Sequence, residues 1–254
     1  MVSTGWRRPS LPGTVAPPPA QVRLSLLSSF ELTSAEDLVS LPMPAQRVLA
    51  FVALRDRPVL RTHVAETLWL DSTEKRACGS LRSALWRLRR PGFELVDVAN
   101  GRLQLEPRVV VDVRVLVGWA HSVLDAPDGA DGELASLGEG FFGDLLPDWY
   151  DDWLVVERER LRELRVRALE CVCERLTALG RFGPAIEAGL AAVHAEPLRE
   201  TAHRCLIGVY LAEGNQAEAL REYRAYRDLL HDELALEPSA RMEGLISGLQ
   251  IPSG

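Results

Sequence analysis

Residues 74–90, EKRACGSLRSALWRLRR, constrain the fold more than any other stretch of the chain. At 100° per residue, Ala77, Cys78, Leu81, Ala84, Leu85 and Leu88 fall on one side of a helix. Arg76, Gly79, Ser83, Trp86, Arg87 and Arg90 fall on or near the other, flanked by Lys75, Arg82 and Arg89. The apolar side needs a core beneath it, and the basic side needs either water or an anionic partner. Gly79 in mid-helix costs about 1 kcal/mol relative to alanine, and close approach to another backbone is one return for that cost. A few residues later, FELVDVANGRLQL (93–105) places Asn100-Gly101 between two strand-like runs, a strong hairpin signal, with Arg102 directly after the turn. A solvated face explains a basic helix alone. A basic helix followed by a basic-tipped hairpin is better explained as a winged helix that holds DNA.

The segments before this helix supply its support. Val22, Leu24 and Leu26 alternate with Arg23 and Ser25, the period of a half-buried strand, and Leu38–Leu41 suggests another. A first helix is expected from Pro44 to Arg55, with Val48, Leu49, Val52 and Ala53 inward and Pro58 beyond its end. A second has Thr62 as its cap, Glu66 near its positive end, and Val64, Ala65, Leu68 and Trp69 as its buried stripe. Asp71, Ser72 and Thr73 are candidate caps for the third. Residues 1–20 hold five prolines and read as a disordered leader.

Charge divides the 254 residues. Residues 1–115 carry 16 Lys+Arg against 11 Asp+Glu, whereas residues 116–254 carry 13 against 25. The two halves therefore suit different partners. No apolar run approaches the ~20 residues that span a bilayer, and Arg7-Arg8 is not followed by an apolar run, so a cytoplasmic, nucleoid-associated protein is expected and no membrane partner. Lys75 is the only lysine against 28 arginines, the bias of a GC-rich genome. Cys78, Cys171, Cys173 and Cys205 show no zinc-ligand spacing and read as reduced thiols. The five histidines lack a nucleophile or metal pattern around them, and His203 and Cys205 are badly placed for a dyad. Asp151-Asp152 reads as a helix start rather than a carboxylate pair. No phosphate-binding glycine-lysine loop is present. No catalytic residue, metal or cofactor is assigned, and the chain is not expected to be an enzyme.

After Asp112 the pattern is helical, interrupted by the acidic stretch 125–133 (DAPDGADGE). A long helix is expected from Trp149 to Leu179, with Trp153, Val156, Leu161, Leu164, Ala168, Val172 and Leu176 as its apolar positions. Its segment ERERLRELRVR reads as a solvated, salt-bridged face. Leu176, Ala178, Gly180, Ala185 and Ile186 recur as Tyr210, Ala212, Gly214, Ala219 and Leu220, each 34 residues on, which is the tetratricopeptide period. Pro197 falls where the first repeat ends, and Tyr223 and Tyr226 lie in the last helix of the second.

These residues together resemble the AfsR/SARP family (Streptomyces antibiotic regulatory proteins). The resemblance covers about residues 22–250. It rests on RVLAFVAL (47–54), the VAETLW that ends at Trp69, LRSALWRLRR (81–90) and VDVRVL (111–116). In the second half it rests on DWYDDWLVVERERL (148–161), residues 197–238 from PLRETAHRC to ELALEP, and the repeat glycines. It implies a two-domain, mainly α protein. An N-terminal winged helix-turn-helix (α+β, OmpR-like) occupies 21–113, and an all-α, tetratricopeptide-like bacterial transcriptional activation domain occupies 114–250. The implied function is a sequence-specific activator that binds promoter direct repeats on double-stranded DNA, as a homodimer or side-by-side pair. It would recruit RNA polymerase holoenzyme to secondary-metabolite (antibiotic) genes. With its end at 254 the chain resembles the small, stand-alone type. It departs from the family at Arg102, where a tyrosine is common, at Ala235, where glycine is usual, and at Cys78-Gly79.

On this reading the third helix, about 25 Å long at 1.5 Å per residue, enters a major groove. Arg76, Arg82, Arg87 and Arg90 are candidates for phosphates and bases, with Ser80 and Ser83 as lesser donors and Lys75 and Gly79 on the same surface. Trp86 either packs under the helix or stacks along the sugar-phosphate edge. Arg102 would reach the wing-side backbone or the minor groove. Arg47 is better explained as a surface residue than as a phosphate contact. The acidic half would face a protein, and no residue singles out a small-molecule effector. The alternative is a tetratricopeptide adaptor with weak or no DNA binding.

Overall fold

The structure is a computed structural model, which describes residues 22–35, 37–89, 94–126 and 143–248. The expected leader, Arg90, and nearly all of the acidic stretch 125–133 lie outside the described residues. The chain starts with β1 (Val22–Ser25), β2 (Glu31–Ser34) and β3 (Asp37–Leu38). Three helices follow, α1 (Met43–Ala53), α2 (Arg61–Leu68) and α3 (Glu74–Leu88), with the two-residue β4 (Val59–Leu60) before α2. The hairpin is β5 (Val96–Ala99) and β6 (Arg102–Leu105), and β7 (Val109–Val111) returns to the first sheet. That sheet has the order β3-β2-β1-β7, with β1 antiparallel to β2 and parallel to β7. The second has the order β4-β6-β5.

Several expectations shift. The strand expected at Leu38–Leu41 is only β3; Leu38 is exposed, while Leu41 leaves the strand and is buried. Thr62 does not cap α2. The helix starts at Arg61, directly after β4, and the Arg61 N–H donates to the Gly101 carbonyl of the hairpin turn at 3.0 Å. The wing therefore serves the first amide of α2, so no side-chain cap is used. Thr73 is the cap residue of α3, but its side chain makes no capping bond.

The second half is built from α4 (Asp112–Asp125), α5 (Asp152–Ala178), α6 (Phe182–Ala195), α7 (Glu200–Glu213), α8 (Gln216–Leu234) and α9 (Ala240–Ile246). The 34-residue repeat is real in the backbone. Gly180 and Gly214 both take positive φ, +69° and +89°. The Arg181 N–H donates to Leu176 O at 2.9 Å, and Asn215, 34 residues on, donates to Tyr210 O at 2.7 Å. Ala185 and Ala219 are fully buried, where small residues let paired helices approach. His203 is buried, with Nδ1 2.7 Å from Glu222 and Nε2 2.8 Å from the Pro197 carbonyl. It ties the α6–α7 turn to α8 and leaves no nitrogen for Cys205. All four cysteines are free thiols; burial pushes Cys173 up to about 12 and Cys205 upward too.

The boundary expected at 113/114 falls inside α4. One apolar core runs from β1 and α1–α3 to Leu145, Leu146, Trp149, Leu154 and Leu161. Phe30 stacks on Trp149 with centroids 5.8 Å apart, and Phe51 meets Trp153 edge-on at 5.1 Å. Arg47 pairs with Asp151 and Arg55 with Glu157 across the same seam. Arg47 is thus a structural residue of the seam.

The ERERLRELRVR segment is less solvated than its charge pattern suggests. Arg158 donates to the carbonyls of Leu145 at 2.8 Å and Trp149 at 2.7 Å, and also to that of Leu146. Arg165 is buried and donates to Gly143 O at 3.0 Å. Both hold the segment that crosses to β1, where Ser28 N–H donates to Asp144 O at 2.7 Å. Val156, by contrast, is exposed. At the start of α4 the Asp112 carboxylate accepts from the N–H groups of Leu26, Leu27 and Val113 at 2.7–3.0 Å. Burial nonetheless raises its pKa above the ordinary 3.8, outweighing those bonds.

Candidate nucleic-acid interface

The apolar side of α3 is placed as its periodicity requires. Ala77, Leu81, Ala84 and Leu88 are buried, and Cys78 and Leu85 are half-buried. That burial fixes the helix and turns its other side outward. Lys75, Arg76, Arg82, Ser83, Trp86 and Arg87 are exposed, and Gly79 and Ser80 are half-buried. Lys75, Arg76, Arg82 and Arg87 form no ion pair or hydrogen bond with the described residues. Ser83 donates back to the Gly79 carbonyl at 3.1 Å.

Two expectations are corrected at this surface. No backbone of the described residues approaches Gly79: a Cβ built there would meet none of them within 4 Å. Trp86 does not pack under the helix, since 73% of it is exposed. It stands in a cleft of about 320 Å³ between α3 and the wing, lined also by Arg61, Arg82, Arg89, Val96 and Val98. Arg61 is a basic residue at this site that sequence reasoning missed. Its signal was obscured because β4, which aims it here, is two residues long.

The hairpin turn takes positive φ at both Asn100 (+51°) and Gly101 (+72°), as a two-residue I′ turn demands. Arg102 follows it, exposed, and one guanidinium nitrogen donates to the Pro58 carbonyl at 3.2 Å. That bond leaves most of its donors unspent. Glu94 and Asp97 stand at the same cleft and oppose an anion there. The cations therefore concentrate on α3 rather than on the whole wing.

Among the described residues no cluster of three or more His, Cys, Asp or Glu could hold a metal ion, and no helix is long and apolar enough to cross a membrane.

Comparison with known proteins locates this architecture. The family model "Bacterial transcriptional activator domain" matches residues 127–250. The chain is 25% identical to the regulatory protein AfsR of Streptomyces griseus over 251 residues, and 26% identical to the AfsR of Streptomyces coelicolor over 252. Each alignment takes in 94% of this chain but only 25% of the relative, so the chain spans about a quarter of their length. Among solved structures it is similar to Mycobacterium tuberculosis EmbR, solved in complex with a low-affinity phosphopeptide. The TM-score is 0.72 at 24% identity, over 90% of this chain and 64% of that one. This likeness shows the fold: a winged helix followed by a helical activator domain.

Proposed function

We propose that the chain is a regulator of the AfsR/SARP type, a sequence-specific DNA-binding activator whose α3 enters the major groove. One observation carries the reading. Lys75, Arg76, Arg82 and Arg87 stand on the exposed side of a helix anchored by a buried apolar stripe, and none forms an ion pair or hydrogen bond with the described residues. A guanidinium in that position can bridge guanine O6 and N7, worth about 1–3 kcal/mol of discrimination. The open space over Gly79 and the serine hydroxyls at 80 and 83 let a base edge or phosphate come close. Arg90, Arg102, Arg61 and Arg89 would hold the backbone on either side, and Trp86 would lie against the sugars.

The acidic half repels a polyanion and faces a protein instead. In this proposal its helices meet RNA polymerase holoenzyme, and two copies lie side by side on promoter direct repeats upstream of secondary-metabolite genes. The protein works in the cytoplasm, on the nucleoid. The winged-helix domain would comprise 21–113 and the activator domain 114–250.

The test is the salt dependence of binding to the DNA upstream of neighbouring genes. Each neutralised phosphate adds about 0.9 to the log–log slope. A slope of roughly −4 or steeper, with a footprint on repeated half-sites, is expected. Weak, salt-insensitive binding would favour the protein adaptor.

A further inference from the structure

We propose that the seam between the winged helix and the helical domain holds a binding site for a small apolar monoanion, such as an aromatic carboxylate. The site is a cavity of about 310 Å³ enclosed by the end of α1, the start of α4 and the middle of α5. Its walls are Leu54, Val113, Val117, Leu145, Leu161 and Leu164. That volume lies at the small end of ligand pockets, and a cleft between domains, mostly apolar with a few polar groups, is where such pockets occur.

Charge selects the ligand class. Arg114 on the wall donates through Nε to Ala53 O at 2.9 Å and through Nη2 to Arg55 O at 2.8 Å. Both partners are carbonyls at the C-terminal end of α1, which fix its orientation, and no carboxylate among the described residues pairs with it. Arg160 at the rim has no ion pair among the described residues. Glu157 also lines the cavity, but Arg55 offsets it. Asp56 is the remaining acid of the lining. Two arginines without a carboxylate partner among the described residues, against one such acid, favour an anionic head group, and the apolar walls favour a hydrocarbon or aromatic body.

Gly118 gives access. It sits on α4 at the cavity, and a Cβ built there would meet none of the described residues within 4 Å. A larger side chain at this position would project into open space without disturbing the helix, and leucine there improves helix propensity. Because α1 belongs to the winged helix and α5 to the helical domain, an occupant would touch both at once. The site does not depend on DNA binding.

The probe is 4-(trifluoromethyl)benzoate, titrated into the full chain and followed by its fluorine NMR signal. Saturable one-to-one binding with Kd below about 1 mM is expected. Gly118→Leu should weaken it about tenfold or more and Arg160→Glu about threefold or more. The neutral 4-(trifluoromethyl)benzamide should bind more weakly than the acid. Lack of saturable binding overturns the proposal, as does binding that Gly118→Leu leaves unchanged. Should Gly118→Leu fail to fold, Arg160→Glu, which alters only an exposed side chain, decides the question, and an unchanged Kd there overturns the proposal.

Discussion

The arginines of α3 and those of α5 have the same chemistry and opposite employment. On α3, Arg76, Arg82 and Arg87 point outward and bond to nothing in the described protein. On α5, Arg158 and Arg165 turn inward onto backbone carbonyls, and Arg162 pairs with Glu159 and Glu196. The difference comes from what surrounds each helix. Around α5, Glu157, Glu159, Glu163 and Glu170 lie within reach, and the segment at 143–149 presents the carbonyls of Gly143, Leu145, Leu146 and Trp149 to its arginines. Around α3 the one acid in the first turn, Glu74, suits the helix dipole, and the cations have no internal acceptor. Arginine count alone therefore does not mark a binding face; unspent donors do.

Four experiments can break or sharpen this contrast. The largest effect is expected from replacing Lys75, Arg76, Arg82 and Arg87 together with alanine. Promoter affinity should fall by about three orders of magnitude, and the salt slope should flatten by up to about 3.6, as expected if each touches a phosphate. Urea denaturation should show stability within about 0.5 kcal/mol of the parent, because these are surface positions. A large loss of stability would show that the face is structural. Second, Arg165→Ala should do the reverse. It should cost roughly 2–4 kcal/mol in urea by leaving the Gly143 carbonyl unmet, breaking the contact with Asp144 and emptying a buried position, with the salt slope on DNA unchanged.

Third, Asp112 should titrate above 3.8 when its carboxyl carbon is followed by NMR. A carboxyl raised in the folded state binds its proton before the unfolded chain does. Its ionisation therefore opposes folding at neutral pH, and that penalty is relieved as pH falls through the folded pKa toward 3.8. The parent should gain stability relative to Asp112→Asn over that window; a loss would reverse the assignment. Smallest, Ala235→Gly should stabilise the chain by about 1 kcal/mol. Ala235 ends α8 at φ +53°, a left-handed conformation that costs alanine and not glycine. Thermal unfolding reads this directly.

Much of this fold was written locally in the chain. The 3.6-residue period of α1 and α3, the Asn100-Gly101 turn, and the paired glycines at 180 and 214 need no distant partner to be recognised. β2, β4 and β7 depend on one: each becomes a strand only when β1 or β6 lies beside it. The same reason hides Arg61 from sequence reasoning. Arg158 and Arg165 sat in a run of alternating charge that looked fully solvated, because periodicity gives the side of a helix but not the loop that crosses it. For Trp86, helical phase alone could not choose between packing and exposure.

The shared core has a practical meaning for anyone who exchanges parts between such regulators. A cut made just before residue 143 would strip Leu145, Trp149, Leu154 and Leu161 from the face of β1 and α1 and leave a broad greasy scar there. A graft that carries the winged helix intact must take residues 143–161 with it. The two halves are packed as one casting, and a new helical surface can be joined only beyond that point.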